Sequence, residues 1–237
     1  MDEHLKEDDA SALWAKSQRL ETGAFVFLIL PSLLFSYFVG KQLATNFTVT
    51  ALGTILRNLS FLCLIAFFAW KNGEPRERFG WVWSHAGTEA ILGVWLFLLM
   101  SFSAILIQQA LSAAHVSLPS HALPESLIAH SPAGYALAFA LVVVVAICEE
   151  TIFRGYLLLR LGAVFRSRAA AALVASLIFC LGHGYEGIAG VVAVFFIGLF
   201  LSVVYLWRKS IIAPAVIHFL QDLIGLFSAA FAGRLHG

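Results

Sequence analysis

Residues 146–158 read AICEETIFRGYLL, two adjacent glutamates and an arginine inside a run of apolar side chains. A charge at the centre of a bilayer costs about 2.5–3.5 kcal/mol on insertion scales, and is kept where it finds partners inside a helical bundle or performs a function. Whether this stretch lies in a membrane therefore decides both the fold and the meaning of Glu149, Glu150 and Arg154. The rest of the chain answers the first point. Of its 237 residues 60% are hydrophobic and 12% charged, with a mean hydropathy of +0.88, whereas soluble domains carry about 25% charge. The composition is that of a polytopic membrane protein.

Apolar runs of roughly membrane-spanning length fall at Ala24–Val39, Thr54–Trp70, Ala90–Leu111, Ala133–Tyr156, Ala169–His183, Ile188–Trp207 and Ile211–Phe231. The expected fold is an all-α transmembrane bundle of about seven helices, six to eight allowing for uncertain ends. Ser131-Pro132 opens the fourth run, and Ser210 with Pro214 opens the seventh, as helix start signals do. Residues 1–23 form a polar segment without the basic start and short apolar core of a signal peptide. They are expected to remain as a cytoplasmic lead-in, partly an amphipathic surface helix. Residues 24–237 then form a single integral membrane domain.

The basic residues sort by side. With the N-terminus inside, Lys6, Lys16, Arg19, Lys71, Arg76, Arg78, Arg160, Arg166, Arg168, Arg208 and Lys209 share the cytoplasmic face, and Lys41, Arg57 and Arg234 fall on the other. That asymmetry is the positive-inside pattern. Trp70, Trp81, Trp83 and Trp207 lie beside the basic loops as interfacial anchors, and His115–His130, with Pro119 and Pro124, reads as an outer loop. The expected location is a bacterial inner membrane, with the lipid bilayer and a membrane-embedded protein or peptide as partners. The net charge of +1 gives no reason to expect nucleic acid. Three cysteines within apolar runs do not make a disulfide framework.

Few strongly polar side chains remain at membrane depth: Glu149, Glu150 and Arg154 on the fourth run, His183 ending the fifth, and His218, Gln221 and Asp222 on the seventh. Glu149 precedes the basic turn near Val164–Arg166, and His183 follows it, by nearly equal chain lengths, so each stands roughly 25 Å from that turn at 1.5 Å per residue. His218 and Asp222 lie roughly 12–18 Å from the turn at Lys209–Ser210 on the same rise. The pairs Glu150/Arg154, Phe179/His183 and His218/Asp222 are each spaced i,i+4, one face of a helix. A Glu150–Arg154 pair neutralises two charges locally and leaves Glu149, about 100° around the helix, as the carboxylate available for chemistry.

The segments EETIFRG, FCLGH and HFLQD, with FRGYLLLRL after the first and FFIGLFLSVVYLWRKSIIAPAVIHFLQD around the third, resemble the three motifs of the CPBP family, the CAAX proteases and bacteriocin-processing membrane proteins. The resemblance covers about Ala133 to Ile224, inside a protease-like core at about 133–231. It implies an intramembrane glutamic endopeptidase that needs no cofactor. Carried onto this chain, it makes Glu149 the base that activates water, assisted by His183. His218 and Asp222 become the oxyanion site, and Glu150 with Arg154 the supporting pair, with Phe179 as the aromatic of the second motif. Asparagine is the commoner family residue where this chain has Asp222. An ionised aspartate cannot donate to an oxyanion, so Asp222 is either held protonated or only orients His218.

Other readings remain open at this stage. Glu149, His183 and His218 supply enough ligands for zinc with a water fourth, although no H-E-x-x-H occurs. Cys148 beside Glu149 admits a thiol nucleophile, an inert core thiol being the simpler reading. The same ionisable set suits a proton-coupled transporter, or a non-catalytic immunity or binding protein of this fold. The remaining histidines lie in polar loops or tails, and Glu186 and Gln221 are close enough to the motifs to line a site.

Overall fold

The structure is a computed structural model that describes residues 2–34, 46–113, 115 and 128–235. Its regular elements, among these residues, are all helical. Helix α1 spans Asp2–Leu34, α2 Phe47–Lys71, α3 Ala86–Ala113 and α4 Pro132–Glu150. After α4 the chain continues without a break through a π-helical segment, Thr151–Leu157, into α5, Leu158–Phe165. Helices α6 (Arg168–Leu181), α7 (Gly187–Arg208) and α8 (Ile212–Leu235) complete the order.

Helix ends follow local chemistry. Asn46 accepts the Val49 amide at 3.0 Å, Ser131 that of Gly134 at 3.0 Å ahead of Pro132, and Ser167 that of Ala170 at 3.2 Å, each satisfying an amide the helix leaves unpaired. Arg166 and Lys209 adopt φ of 52° and 55°. These left-handed residues stop α5 and α7 at the two basic turns marked in the sequence.

Four stretches are long and apolar enough to cross a membrane: Phe47–Lys71, Ala86–Leu106, Pro132–Phe165 and Gly184–Arg208; Arg168–Leu181 and Ile212–Ser228 are shorter apolar helices. The chain is an integral membrane helical bundle. Several sequence-drawn bounds shift. The fourth span runs on to Phe165 instead of ending at Tyr156, because the π segment carries the helix through. The fifth stops at Leu181, so His183 starts a short 3-10 turn, Gly184–Glu186, instead of ending a helix. The end of the first span, the expected outer loop at 116–127 and Lys41 lie outside the described residues.

Half of the apolar stretch of Pro132–Phe165 is buried within the protein, 50% against 17–28% for the other three, which makes it the central helix. The π segment is buried at every position. Tyr156 packs its ring 4.9 Å from Phe25 of α1 and 6.3 Å from both Phe68 and Phe79. A Cβ on Gly155 would stand 2.6 Å from the Phe79 carbonyl oxygen, so glycine lets the 3-10 turn Arg76–Phe79 lie directly on this helix. Gly93 serves likewise between α3 and α8, where a Cβ would come within 2.8 Å of the Ala213 carbonyl. Small residues are how helices approach closely in lipid.

The polar stretch of α1 is one helix with its apolar continuation, and it docks. Gln18 donates to Glu74 at 3.2 Å, and Glu21 accepts from Lys71 and Asn72 at 2.8 Å each. Glu74 also receives Arg78 at 3.1 Å and both terminal nitrogens of Arg160, and Glu89 receives Arg208. Three carboxylates thus tie α1, α2, α3, α5 and α7 together at the end of the bundle that carries the basic loops.

Candidate active site

An α-helix gains one extra residue per bulge where it widens to i→i+5 hydrogen bonding, and such turns recur at functional sites. Here the wide turn begins directly after Glu149-Glu150 and contains Arg154. The two glutamates sit on the last turn of α4 and meet different surroundings.

Glu150 is fully buried. Its Oε1 accepts from Arg154 Nη1 at 2.8 Å and stands 2.8 Å from His218 Nδ1 on α8. Arg154, 1% exposed, also donates through Nη2 to the Gly198 carbonyl of α7 at 3.1 Å. Its guanidinium lies 4.5 Å above the Phe179 ring. Gly198 makes room, since a Cβ there would press on Phe179 Cδ1 at 3.0 Å. The expected Glu150–Arg154 pair is therefore present, and it extends to two further helices.

Phe179 is the hub of the three motif segments. Its ring lies 5.0 Å from His183, 5.0 Å from Phe153 and 5.8 Å from His218, the last edge to face at 90°. His183 Nδ1 lies 3.4 Å from the Phe179 carbonyl, which leaves Nε2 for other work. His218 directs Nε2 to Asp222 Oδ2 at 3.5 Å. Both nitrogens of that imidazole therefore face carboxylates, Glu150 and Asp222.

Glu149 stays outside this network. Its side chain is 12% exposed where that of Glu150 is 0%, and its ion-pair partner is Arg57 of α2, Nη2 to Oε1 at 3.9 Å. That contact was not legible from spacing, which assigned Arg57 to the outer charges and left Glu149 unpaired; a lone cation inside an apolar helix was the available signal. Tyr185, whose ring is 5.9 Å from that of His183, lies within electrostatic reach of Glu149, Asp222 and Glu186. Glu186 leans on the first turn of α7 at Gly190, and Gln221 faces outward. Cys148 is buried. Among the described residues no three His, Cys, Asp or Glu side chains stand close enough together to hold a metal ion.

What this arrangement offers is a reachable carboxylate beside a buried, fully engaged one, with two imidazoles held by a common phenyl ring. A carboxylate of the first kind can take a proton from water, and imidazoles held in place can serve charge developing nearby.

Residues 130–224 match the family model of the Rce1-like type II CAAX prenyl endopeptidases. The match contains all three motif segments and leaves out Arg57. No curated protein matches the chain, and no solved structure does.

Proposed function

We propose, on the premise that residues 130–224 form a protease segment of the Rce1-like CAAX endopeptidase family, that this chain is an intramembrane endopeptidase using a glutamate-activated water. The observation that carries the reading is the unequal standing of the two glutamates. Glu150 is consumed by Arg154 and His218, whereas Glu149 is accessible and carries no hydrogen bond from them.

In the proposed reaction Glu149 removes a proton from a water as its oxygen attacks the scissile carbonyl carbon. His183 helps to hold that water. The carbonyl π electrons move to oxygen, and the resulting oxyanion is met by His218. As the tetrahedral intermediate collapses, the C–N bond breaks and the proton on Glu149 passes to the leaving amine. Atoms and charge balance without a metal or a thiol. Arg154 keeps Glu150 ionised as the partner of His218, and Phe179 fixes both histidines.

The proposed substrate is a membrane-anchored protein or peptide, cut near a lipidated or hydrophobic end. A chain running straight through the bilayer core would strand backbone polar groups in lipid, whereas an end can be fed into a buried site. The site is proposed to be reached from the cytoplasmic leaflet, the face on which the basic turns lie.

The test is cleavage of an S-prenylated C-terminal peptide by the purified full chain and by Glu149→Ala, His183→Ala and Cys148→Ser, each with and without exhaustive chelation. Loss of activity in the first two, with retention in Cys148→Ser and after chelation, is the expected result. Full activity in Glu149→Ala would end the glutamate reading. Activity removed by chelation and restored by zinc alone would replace it with a metal mechanism.

A further inference from the structure

The four buried or half-buried arginines at carboxylates are not alike. Arg154 and Arg208 approach theirs to 2.8 Å and 2.6 Å, and Arg160 grips Glu74 with both terminal nitrogens. Arg57 differs. It reaches Glu149 at 3.9 Å, beyond hydrogen-bond distance, and its side chain is 35% exposed. It stands inside an apolar span, Phe47–Lys71, where a cation is expensive to keep. A structural partner for Glu149 would close into the forked geometry that Arg160 shows. A guanidinium has five donors, and this one leaves its fork open beside the carboxylate proposed to do the chemistry.

The geometry points to Arg57 as a carboxylate-binding subsite of the active site, one that receives an ionised carboxylate of the substrate and thereby favours peptides cut close to a free C terminus. This rests on the endopeptidase reading and deepens it. Guanidinium and carboxylate match as planar, two-pronged partners, and a peptide end threaded into a buried site brings a carboxylate with it. The lengths agree as well. A carboxylate two or three residues past the cut is roughly 7–10 Å from the scissile carbon at 3.3–3.6 Å per residue. Glu149, acting through one water, stands roughly 6 Å from that carbon, and Arg57 lies 3.9 Å beyond. Set between Glu149 and the incoming anion, Arg57 also offsets their mutual repulsion. A second source of the same chemistry is the carboxylate created by cleavage itself.

Binding separates these possibilities without relying on turnover. Fluorescence anisotropy of the detergent-purified full chain is measured with a labelled S-farnesylated tetrapeptide as free acid and as C-terminal amide, and with labelled S-farnesylcysteine as acid and amide to represent the new carboxylate. The wild type should bind the tetrapeptide acid at least about tenfold tighter than its amide, the scale of one charge-assisted hydrogen bond. Arg57→Gln should bind both forms as the wild type binds the amide, and Arg57→Lys should recover part of the preference. An Arg57-dependent preference with S-farnesylcysteine alone supports the subsite and assigns it to the product. Equal binding of acid and amide by wild type overturns the proposal, even if Arg57→Gln does not fold. Equal weakening of both forms in a folded Arg57→Gln also overturns it, by making Arg57 a structural residue. Wild type that prefers the acid and never cleaves it leaves the subsite standing and rejects the endopeptidase; wild type that cleaves acid and amide with equal binding does the reverse.

Discussion

His218 Nδ1 stands 2.8 Å from Glu150 Oε1, a contact across 68 positions of chain that joins the third motif segment to the first. Because the same oxygen accepts from Arg154, Glu150 is the fixed point from which the orientation of His218 is set, and the proposed base is its neighbour.

The two glutamates should respond differently to the same isosteric change. Glu150→Gln removes the charge opposite a guanidinium that is 1% exposed, and breaking a buried pair in this way costs about 3–5 kcal/mol. A thermal melt of the purified protein should show a large loss of stability. Glu149→Gln, at an accessible side chain with one long contact, should melt close to wild type while peptide cleavage falls about 10²–10⁴-fold, the usual contribution of a general base. Equal melting losses in both variants would contradict the division of roles.

Much of this site could be read from spacing, because i,i+4 pairs are local: Glu150 with Arg154, His218 with Asp222, and Phe179 with His183 all meet as the helical repeat requires. The starts at Ser131 and Ser167 are local for the same reason. Tertiary contacts were hidden. Nothing in a periodic pattern says that α2 brings Arg57 to Glu149, or that His218 also reaches Glu150. The π turn was invisible because TIFRGYL is buried on every side, so it shows no apolar stripe whose phase could reveal the extra residue. The span count was legible from hydropathy, and the continuation to Phe165 was not, since Tyr156–Leu161 mixes buried aliphatics with the paired Arg160.

Gly155 should tolerate no side chain. An alanine Cβ would fall 2.6 Å from the Phe79 carbonyl oxygen, a backbone atom that cannot swing aside as a flexible side chain can. Gly155→Ala should destabilise the protein by about 1–3 kcal/mol, the range for overpacking a filled interior, and displace the Arg76–Phe79 turn. Gly162→Ala, where a Cβ meets nothing within 4 Å, is the control in the same melt and should be neutral.

Acid should weaken the docking of α1. Burial pushes the Glu21 carboxyl up, but the hydrogen bonds and charge of Lys71, with Asn72 and Ser17, outweigh it, so the group sits below the ordinary carboxylate value. A lowered value in the folded state means that the unfolded chain binds the proton more readily, so the contribution is complete above the unfolded carboxylate value of about 4.3 and fades as pH falls through the lower folded one. Glu21→Gln should melt at a lower temperature than wild type at neutral pH, and the difference should shrink on acidification below about pH 4. A difference that grows with acid would reverse the assignment.

Asp222 is the residue whose role a single substitution resolves. Its Oδ2 lies 3.5 Å from His218 Nε2, and its side chain is 31% exposed, so it is the outer end of the chain that runs from Arg154 through Glu150 and His218. If its duty is to accept from His218, an amide oxygen serves equally, and Asp222→Asn adds an N–H pair that a carboxylate lacks. Donors aimed at a developing oxyanion are worth about 10²–10³-fold in rate when removed elsewhere. Asp222→Asn should therefore cleave at least as fast as wild type, and Asp222→Ala, with neither acceptor nor donor, should be slower than both. The comparison is made on kcat with saturating peptide, so that altered binding does not enter. Asp222→Asn as slow as Asp222→Ala would show that negative charge itself is needed, which would make Asp222 the counter-ion of a cationic His218 and leave the oxyanion to the imidazole alone.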